Sequence, residues 1–340
     1  MGRPIDRRTF LRIAGTSLGA GALYRVAPAW ASGGPAGDTA RELKRRNGEA
    51  PTPFTFVQLS DAHVGFSGPP NPTGTRAFER AVEVLNRLPE RPDLVVFTGD
   101  LTHESEAPGE HAARMKRFAE IAGRIAVPMK KMLPGEHDAG LDGGALFRSF
   151  FGETSYSFDH RGVHFVALDN VSRAKPEVGP AQLAWLKKDL ARFTPTAPIV
   201  VLTHRPLFDL KPEWEWFTRD GDEVMAALAA FENVTVLYGH IHREDMHQTA
   251  HARHYAARSL IWAFPDPAAA EKKPIAFDKD RPFRNLGLRL VHAAPGATPA
   301  ASVGCEEVEL TMREHSGTEG FAQMLRPSSL GPAVEKGERP

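Results

Sequence analysis

The chain has 340 residues, which is enough for one large domain or two small ones with an ample core. Lys and Arg together number 42, and Asp and Glu together also number 42, so the formal net charge is zero. No overall positive charge attracts an anionic membrane or nucleic acid, and we expect no specific nucleic-acid binding. Cys305 is the one cysteine, which excludes an internal disulfide and a thiolate metal cluster, so any metal must be held by His, Asp, Glu or Asn.

The first residues predict an export signal. Arg7 and Arg8 precede a weakly apolar stretch over residues 13–23, and Ala29-Trp30-Ala31 offers a cleavage site. A twin-arginine pair ahead of a short apolar stretch is typical of the twin-arginine (Tat) pathway, and the stretch is too short for a permanent membrane span. We therefore predict the Tat export machinery as a partner and a periplasmic or secreted protein; a basic, disordered N-terminus is the alternative. The predicted divisions of the chain are a Tat signal peptide over residues 1–31, a linker over 32–50, one domain over 51–325 and a disordered tail over 326–340.

A short apolar run followed at once by a polar turn occurs five times. These runs predict buried strands, and they cover residues 54–59, 94–97, 129–133, 199–202 and 234–238. Their turns read SDAH, TGD, PGEHD, THRP and GHIH. Further predicted elements are helices near residues 78–88 and 183–193, a strand pair at 156–158 and 163–168, late strands at 287–291 and 303–310, and a surface excursion at 271–282. Strands that alternate with helices predict an α/β layered domain, in which ligands bind at the carboxyl ends of the strands.

The turns carry residues that can hold metal ions. Asp61 and His63 lie on one side of an extended segment, as do His240 and His242. The other turns add Asp100, Glu136, His137, Asp138 and His204. Imidazole and carboxylate ligands suit Zn, Fe, Mn, Co or Ni. Four His and three carboxylates are too many for one ion and about right for two, and two bridged ions form the usual clamp for in-line attack at phosphorus.

The order D-x-H, G-D, G-N-H-[DE], H and G-H-x-H resembles the motif set of the calcineurin-like metallophosphoesterases, over roughly residues 54–245. The resemblance implies a four-layer α/β/β/α sandwich with two facing sheets. It also implies a metal-dependent phosphoric ester hydrolase with two transition-metal ions, Fe, Mn or Zn. The substrate would be a small phosphomonoester or phosphodiester, and a metal-bound hydroxide would be the nucleophile.

The resemblance implies a role for each matching residue. The first metal would be held by Asp61, His63 and His242, both metals by Asp100, and the second by His204, His240 and Glu136. His137 would contact the substrate phosphate or protonate the leaving oxygen, and Asp138 would orient its ring.

Glu136 departs from the family pattern, which has Asn at this position. A third carboxylate lowers the charge of the site and so its attraction for a phosphate dianion. Three interpretations stay open: Glu136 binds a harder or trivalent second ion, it swings away and leaves a weaker site, or the site has lost phosphatase activity. The alternative function is therefore a catalytically weak, exported metal- or phosphate-binding protein on the same fold. Oxidation at a mixed-valence iron pair is a third and poorer alternative.

Other residues near the motifs have two interpretations each. His103 touches the substrate phosphate or is an exposed loop residue. Arg205 pairs with a phosphate oxygen or lies on the surface. Trp214, Trp216 and Phe217 wall the substrate pocket or pack an excursion onto the domain. A further group of imidazoles is a metal site or is solvated, and it consists of His247, His251 and His254.

Overall fold

In a computed structural model, the chain is described at residues 52–250, 252–294, 303–310 and 325–327. The predicted signal peptide, the predicted linker and His251 lie outside these residues. Of the predicted tail, the first two residues belong to a strand, Leu325–Pro327, and the rest lies outside the described residues.

The first sheet has six strands, in the order β12-β11-β10-β1-β2-β3. Their bounds are β1 Phe54–Leu59, β2 Leu94–Thr98, β3 Met129–Leu133, β10 Gly287–Ala293, β11 Val303–Glu309 and β12 Leu325–Pro327. β1 pairs in parallel with β2, and β2 pairs in parallel with β3. The carboxyl ends of these three strands therefore meet at one edge of the sheet.

The second sheet also has six strands, in the order β4-β5-β6-β7-β9-β8. Their bounds are β4 Tyr156–His160, β5 Val163–Ala167, β6 Pro198–Leu202, β7 Asn233–Tyr238, β8 Asp245–Thr249 and β9 Ala252–Ala256. β5, β6, β7 and β9 run parallel, whereas β4 and β8 pair with their neighbours in antiparallel fashion.

The helices cover the outer faces of both sheets. Their bounds are α1 Arg76–Asn86, α2 Glu110–Gly123, α3 Glu136–Ala139, α4 Ala145–Phe151, α5 Pro180–Leu190 and α6 Gly221–Leu228. α1 and α2 pack on the first sheet, and α5 and α6 pack on the second. α5 begins at Pro180, which is well suited to a first helical position because its missing N–H has no helical acceptor there.

A third core lies between the two sheets and makes the domain four-layered. Side chains alternate along a strand, so Phe54 and Phe56 of β1 face this inner core while Val57 and Leu59 face α1 and α2. Phe56 meets Phe165 of the second sheet edge-to-face, with ring centroids 5.4 Å apart. The predicted α/β/β/α sandwich is confirmed. No helix in the described part of the chain is both long and apolar enough to cross a bilayer.

Candidate metal centre

The seven predicted metal ligands follow the carboxyl ends of five parallel strands, three in the first sheet and two in the second. In chain order they are Asp61 and His63 after β1, Asp100 after β2, Glu136 after β3, His204 after β6, and His240 and His242 after β7. The described structure brings these side chains together in two clusters of potential ligand atoms.

The first cluster contains Asp61, His63, Asp100 and His242, all of them buried. The Nε2 atoms of His63 and His242 lie 3.2 Å apart. His63 Nε2 is 3.3 Å from Asp100 Oδ2, and His242 Nε2 is 3.3 Å from Asp61 Oδ1. A tetrahedral ion bound at about 2.1 Å separates its ligand atoms by about 3.4 Å, so these distances fit a metal ion.

The second cluster contains Glu136, His204 and His240. Glu136 places one oxygen 2.8 Å from His204 Nε2 and the other 2.8 Å from His240 Nδ1. His204 Nε2 and Glu136 Oε2 are both buried and face each other, and a ring nitrogen paired so closely with a carboxylate oxygen suits a shared cation. Asp100 Oδ2 lies 3.4 Å from His204 Nε2 and thus joins the two clusters.

The second nitrogen of four ligand imidazoles is held by the protein. His204 Nδ1 lies 2.7 Å from the Thr98 carbonyl, and His242 Nδ1 lies 3.1 Å from that of Trp262. His240 is turned the other way, because its Nε2 meets the Glu215 carbonyl at 3.1 Å. His63 Nδ1 lies 3.2 Å from Nδ1 of His103. Contacts of this kind fix which nitrogen faces the metal and hold each ring in orientation.

Backbone strain is concentrated at the ligands. Five of the seven adopt left-handed backbone angles that side chains disfavour, with φ of 55° at Asp61, 41° at His63, 48° at Asp100, 65° at His240 and 50° at His242. Such a conformation costs roughly 1 kcal/mol or more per residue and persists only where the surrounding structure imposes it. The turns therefore position ligands at the expense of local stability, which is common at functional sites.

Two glycines of the motifs are needed because ligands approach their backbones closely. A Cβ on Gly99, which has a φ of 95°, would collide with the His204 ring. A Cβ on Gly135 would collide with the Asp100 carboxylate. The motif glycines thus leave space that the metal ligands occupy.

The electrostatics favour a cationic occupant. Burial raises the pKa of Glu136, but the neighbouring His240, His204 and Arg205 outweigh it and hold that pKa well below its usual range. Burial and Glu136 likewise raise the pKa of Asp100, and His204, His137 and His63 lower it overall. Both carboxylates are therefore ionised at neutral pH.

His137 stands beside the first cluster, with its ring 4.7 Å from that of His63. Its side chain is 24% exposed, so it is open to a substrate. Burial lowers the pKa of His137, but the carboxylates of Asp100, Glu136 and Glu104 raise it overall. Glu104, which the sequence motifs do not mark, places Oε1 3.7 Å from His137 Nδ1.

Asp138 is hydrogen-bonded to the backbone of two turns, and its predicted orientation of the His137 ring stays a prediction. Its carboxylate accepts hydrogen bonds from the backbone N–H groups of Leu101, Thr102 and Gly135 and from the Thr102 hydroxyl. Burial raises its pKa to about 7. Asp138 therefore ties the turn after β2 to the turn after β3, whereas the Nδ1 of His137 faces Glu104.

The two predicted substrate contacts lie at the site. His103 stacks on His137 with ring centroids 4.6 Å apart, and burial lowers its pKa to about 4. Arg205 is buried, not a surface residue: its Nη1 donates to the Glu215 carbonyl at 2.9 Å, and its Nη2 lies 3.7 Å from Glu136 Oε1. Contact of either residue with a substrate stays a prediction.

The structure decides between some of the alternatives for the aromatic residues and the further imidazoles. Trp214 and Trp216 are buried and pack with Tyr238 and Ile241, so packing of an excursion is the correct interpretation for these two residues. His254 is fully buried and not solvated, and burial lowers its pKa to about 3. His247 stacks on Phe208 with ring centroids 3.8 Å apart.

An aromatic wall beside the first cluster was not predicted. Trp262 lies 4.9 Å from both the His63 and the His242 rings, and Phe264 lies 5.0 Å from His242. Phe66 closes the group at 4.5 Å from Trp262. These residues follow or precede irregular segments, and no spacing rule marks them in the sequence.

Comparison with known proteins decides the family. The calcineurin-like phosphoesterase family matches residues 54–244, which contain all seven ligands. The chain belongs to this family. A 3′,5′-cyclic-nucleotide phosphodiesterase of Nostoc sp. is 25% identical over 69% of this chain and 88% of its own length. A 3′,5′-cyclic adenosine monophosphate phosphodiesterase of Escherichia coli is 29% identical over 56% of this chain and 70% of its own.

A purple acid phosphatase of yellow lupin shares the fold with a TM-score of 0.58 at 12% identity. The match covers 76% of this chain and about half, 52%, of the lupin chain. The chain is thus a metal-dependent phosphoric ester hydrolase whose residues offer two adjoining sets of metal ligands.

Proposed function

We propose that this hydrolase is an exported, two-metal phosphodiesterase that acts on a small phosphodiester. The observation that carries the proposal is the position of Asp100, whose Oδ2 lies 3.3 Å from the first cluster's His63 and 3.4 Å from the second cluster's His204. A carboxylate shared in this way holds two ions side by side, which is the arrangement that supports in-line displacement at phosphorus.

Metal ions bound here would supply positive charge to the phosphate oxygens and would lower the pKa of a water molecule. Residues of the chain would hold these ions and donate the proton to the leaving oxygen. Asp61, His63, Asp100 and His242 would hold the first ion, and Asp100, Glu136, His204 and His240 the second. Fe, Mn or Zn suits these ligands.

His137 is proposed as the proton donor to the leaving oxygen. The carboxylates of Asp100, Glu136 and Glu104 raise the pKa of His137 against the effect of burial, and Glu104 lies 3.7 Å from its Nδ1, so these groups favour the protonated ring. Because its side chain is partly exposed next to the first cluster, a bound ester can reach it. Stacking on His103 keeps the ring in this position.

The choice of a diester rests on charge and on relatives. Glu136 adds a carboxylate where the family pattern has a neutral amide, and a diester carries one negative charge where a monoester carries nearly two. The added repulsion is therefore smaller for a diester. The names of the Nostoc and Escherichia coli relatives, both phosphodiesterases, support the same choice. Export is proposed from Arg7, Arg8 and the short apolar stretch that follows them.

The test combines metal analysis with two variants. Native protein is expected to contain close to two transition-metal ions per chain and to hydrolyse an aryl phosphodiester. Asp100→Asn should lower kcat/KM by at least a thousandfold and reduce the metal content, because the shared ligand is lost. His103→Ala is expected to retain the metal and to lose much less activity, since His103 contacts a ligand but does not belong to either cluster.

Three outcomes would contradict the proposal. Absence of bound metal, together with no rise in Tm on addition of Mn, Fe or Zn, would exclude the metal centre, because tight binding to the folded state must raise apparent stability. Comparable kcat/KM losses in the two variants would exclude the role of Asp100. A metal-loaded protein that hydrolyses no phosphate ester would instead support the binding-protein alternative.

A further inference from the structure

Lys272 lies in the predicted surface excursion and contacts residues that border the metal centre. Its Nζ donates a hydrogen bond to the Trp214 carbonyl at 2.9 Å. The same ammonium lies 5.3 Å from the centre of the Phe264 ring and 6.0 Å from that of Trp216. A carbonyl and two aromatic faces therefore hold this cation in place.

The groups that hold Lys272 also touch the metal ligands. Phe264 packs against the His242 ring at 5.0 Å. Glu215, which follows Trp214 in the chain, accepts hydrogen bonds at its carbonyl from Arg205 and His240. Lys272 and Arg205 are thus fixed to the same short loop, and that loop borders the second ligand cluster.

The charges near Lys272 come from the centre itself. The residue as a whole is exposed, and partial burial of its ammonium together with the like charge of Arg205 lowers the pKa of Lys272, although the Glu136, Glu215 and Asp100 carboxylates act to raise it. Glu136 and Asp100 are both predicted ligands. The geometric link to the centre is the loop itself, because Lys272 is hydrogen-bonded to Trp214 and the next residue, Glu215, is hydrogen-bonded to the ligand His240.

We propose that Lys272 binds an anionic oxygen of the substrate phosphate and, together with Arg205, forms a cationic subsite next to the second ligand cluster. The Trp214 carbonyl accounts for one of the three N–H donors of an ammonium, so donors are left for a phosphate oxygen. The subsite also explains how the centre attracts an anion although Glu136 adds a negative charge.

This inference rests on the proposed function, so its test needs one measurement that does not depend on turnover. Lys272→Met keeps the length of the stem and removes the charge, and Lys272→Arg keeps the charge. Lys273→Met is the control for an exposed neighbour, and Lys211→Met is the control for a lysine that also covers an aromatic ring of this loop, Trp214, at 5.4 Å. Calorimetry measures the binding of inorganic phosphate to each metal-loaded protein.

We expect Lys272→Met to weaken phosphate binding and to raise KM for a phosphodiester by at least fivefold each, with kcat reduced much less. Lys272→Arg should restore binding to within about threefold of wild type, and both control variants should match wild type. Tm and metal content are expected to stay unchanged in Lys272→Met.

Unchanged phosphate binding in Lys272→Met would overturn the subsite. So would a loss of binding that coincides with lower Tm or lower metal content, because Lys272 would then only brace the excursion. If no phosphodiester is turned over but phosphate binding still depends on Lys272, the proposed function fails and the subsite stands.

Discussion

Glu136 is both a candidate ligand to the second ion and an added negative charge in the site. Its two oxygens lie 2.8 Å from His204 Nε2 and from His240 Nδ1, so the side chain points into the second cluster and does not swing away. Arg205 lies 3.7 Å from the same carboxylate and offsets part of its charge. The contact favours the interpretation of Glu136 as a ligand to the second ion.

Removal of this charge should change the preference between esters. Glu136→Gln keeps the length of the side chain and is expected to shift the ratio of kcat/KM towards a monoester by about tenfold, which corresponds to about 1.4 kcal/mol. The reason is that a dianion gains more than a monoanion when a nearby negative charge is lost. The measurement compares matched aryl mono- and diesters for both proteins at equal metal occupancy.

Glu104→Gln is a matched control, because it neutralises a carboxylate of the same length that faces His137 instead of the second cluster. Its ester ratio should change less than that of Glu136→Gln. An unchanged ratio in Glu136→Gln at full metal occupancy would show that this carboxylate does not tune the site by charge.

The site depends on how tightly the turns that follow β2 and β3 pack together. Asp138 in α3 accepts N–H groups from the turn after β2, and Asp100 in that turn accepts the His137 N–H at 3.0 Å. The turn after β3 passes so close to Asp100 that only glycine fits at position 135. The two turns form one unit that fixes the shared ligand.

Gly135→Ala is therefore expected to displace Asp100 and to lower metal affinity by at least tenfold. Metal titration monitored by calorimetry measures this loss. Gly123→Ala at the end of α2 is the control, since a Cβ there meets nothing within 4 Å. If Gly135→Ala binds two ions as tightly as wild type, the backbone approach seen in the structure is not required for the site.

The same packing explains what the sequence could and could not predict. β1 and β3 begin and end at the predicted residues, but the prediction of a buried strand is right only for β1, because β3, MKKML, is half-buried at the edge of the first sheet. β8 and β9 were missed, since DMHQT and ARHYA are mixed in polarity and lie near the edge of the second sheet. The seven candidate ligands were predicted from the residue types in the turns together with the resemblance to the family, and the structure brings them together. Glu104, Trp262 and Lys272 were not predicted, because loop packing alone brings them to the site.

For the whole molecule, the decisive feature is that neither sheet contains a complete site. The first sheet contributes Asp61, His63, Asp100 and Glu136, and the second contributes His204, His240 and His242. These residues span 61 to 242, so both ligand clusters form only after distant strands have paired and the two sheets have packed. Metal ions consequently bind a folded domain. A route that exports folded proteins suits such a chain.

We therefore predict that export requires the arginine pair. Arg7→Lys combined with Arg8→Lys should leave unprocessed, folded and metal-loaded precursor in the cytoplasm of its host, because the twin-arginine motif is the feature that a folded-protein translocase reads. Immunoblots of cytoplasmic and periplasmic fractions measure the distribution, and Arg3→Lys, which lies outside the pair, is the control and should be exported normally. Periplasmic accumulation of the double variant at the wild-type level would show that the signal is read by another route.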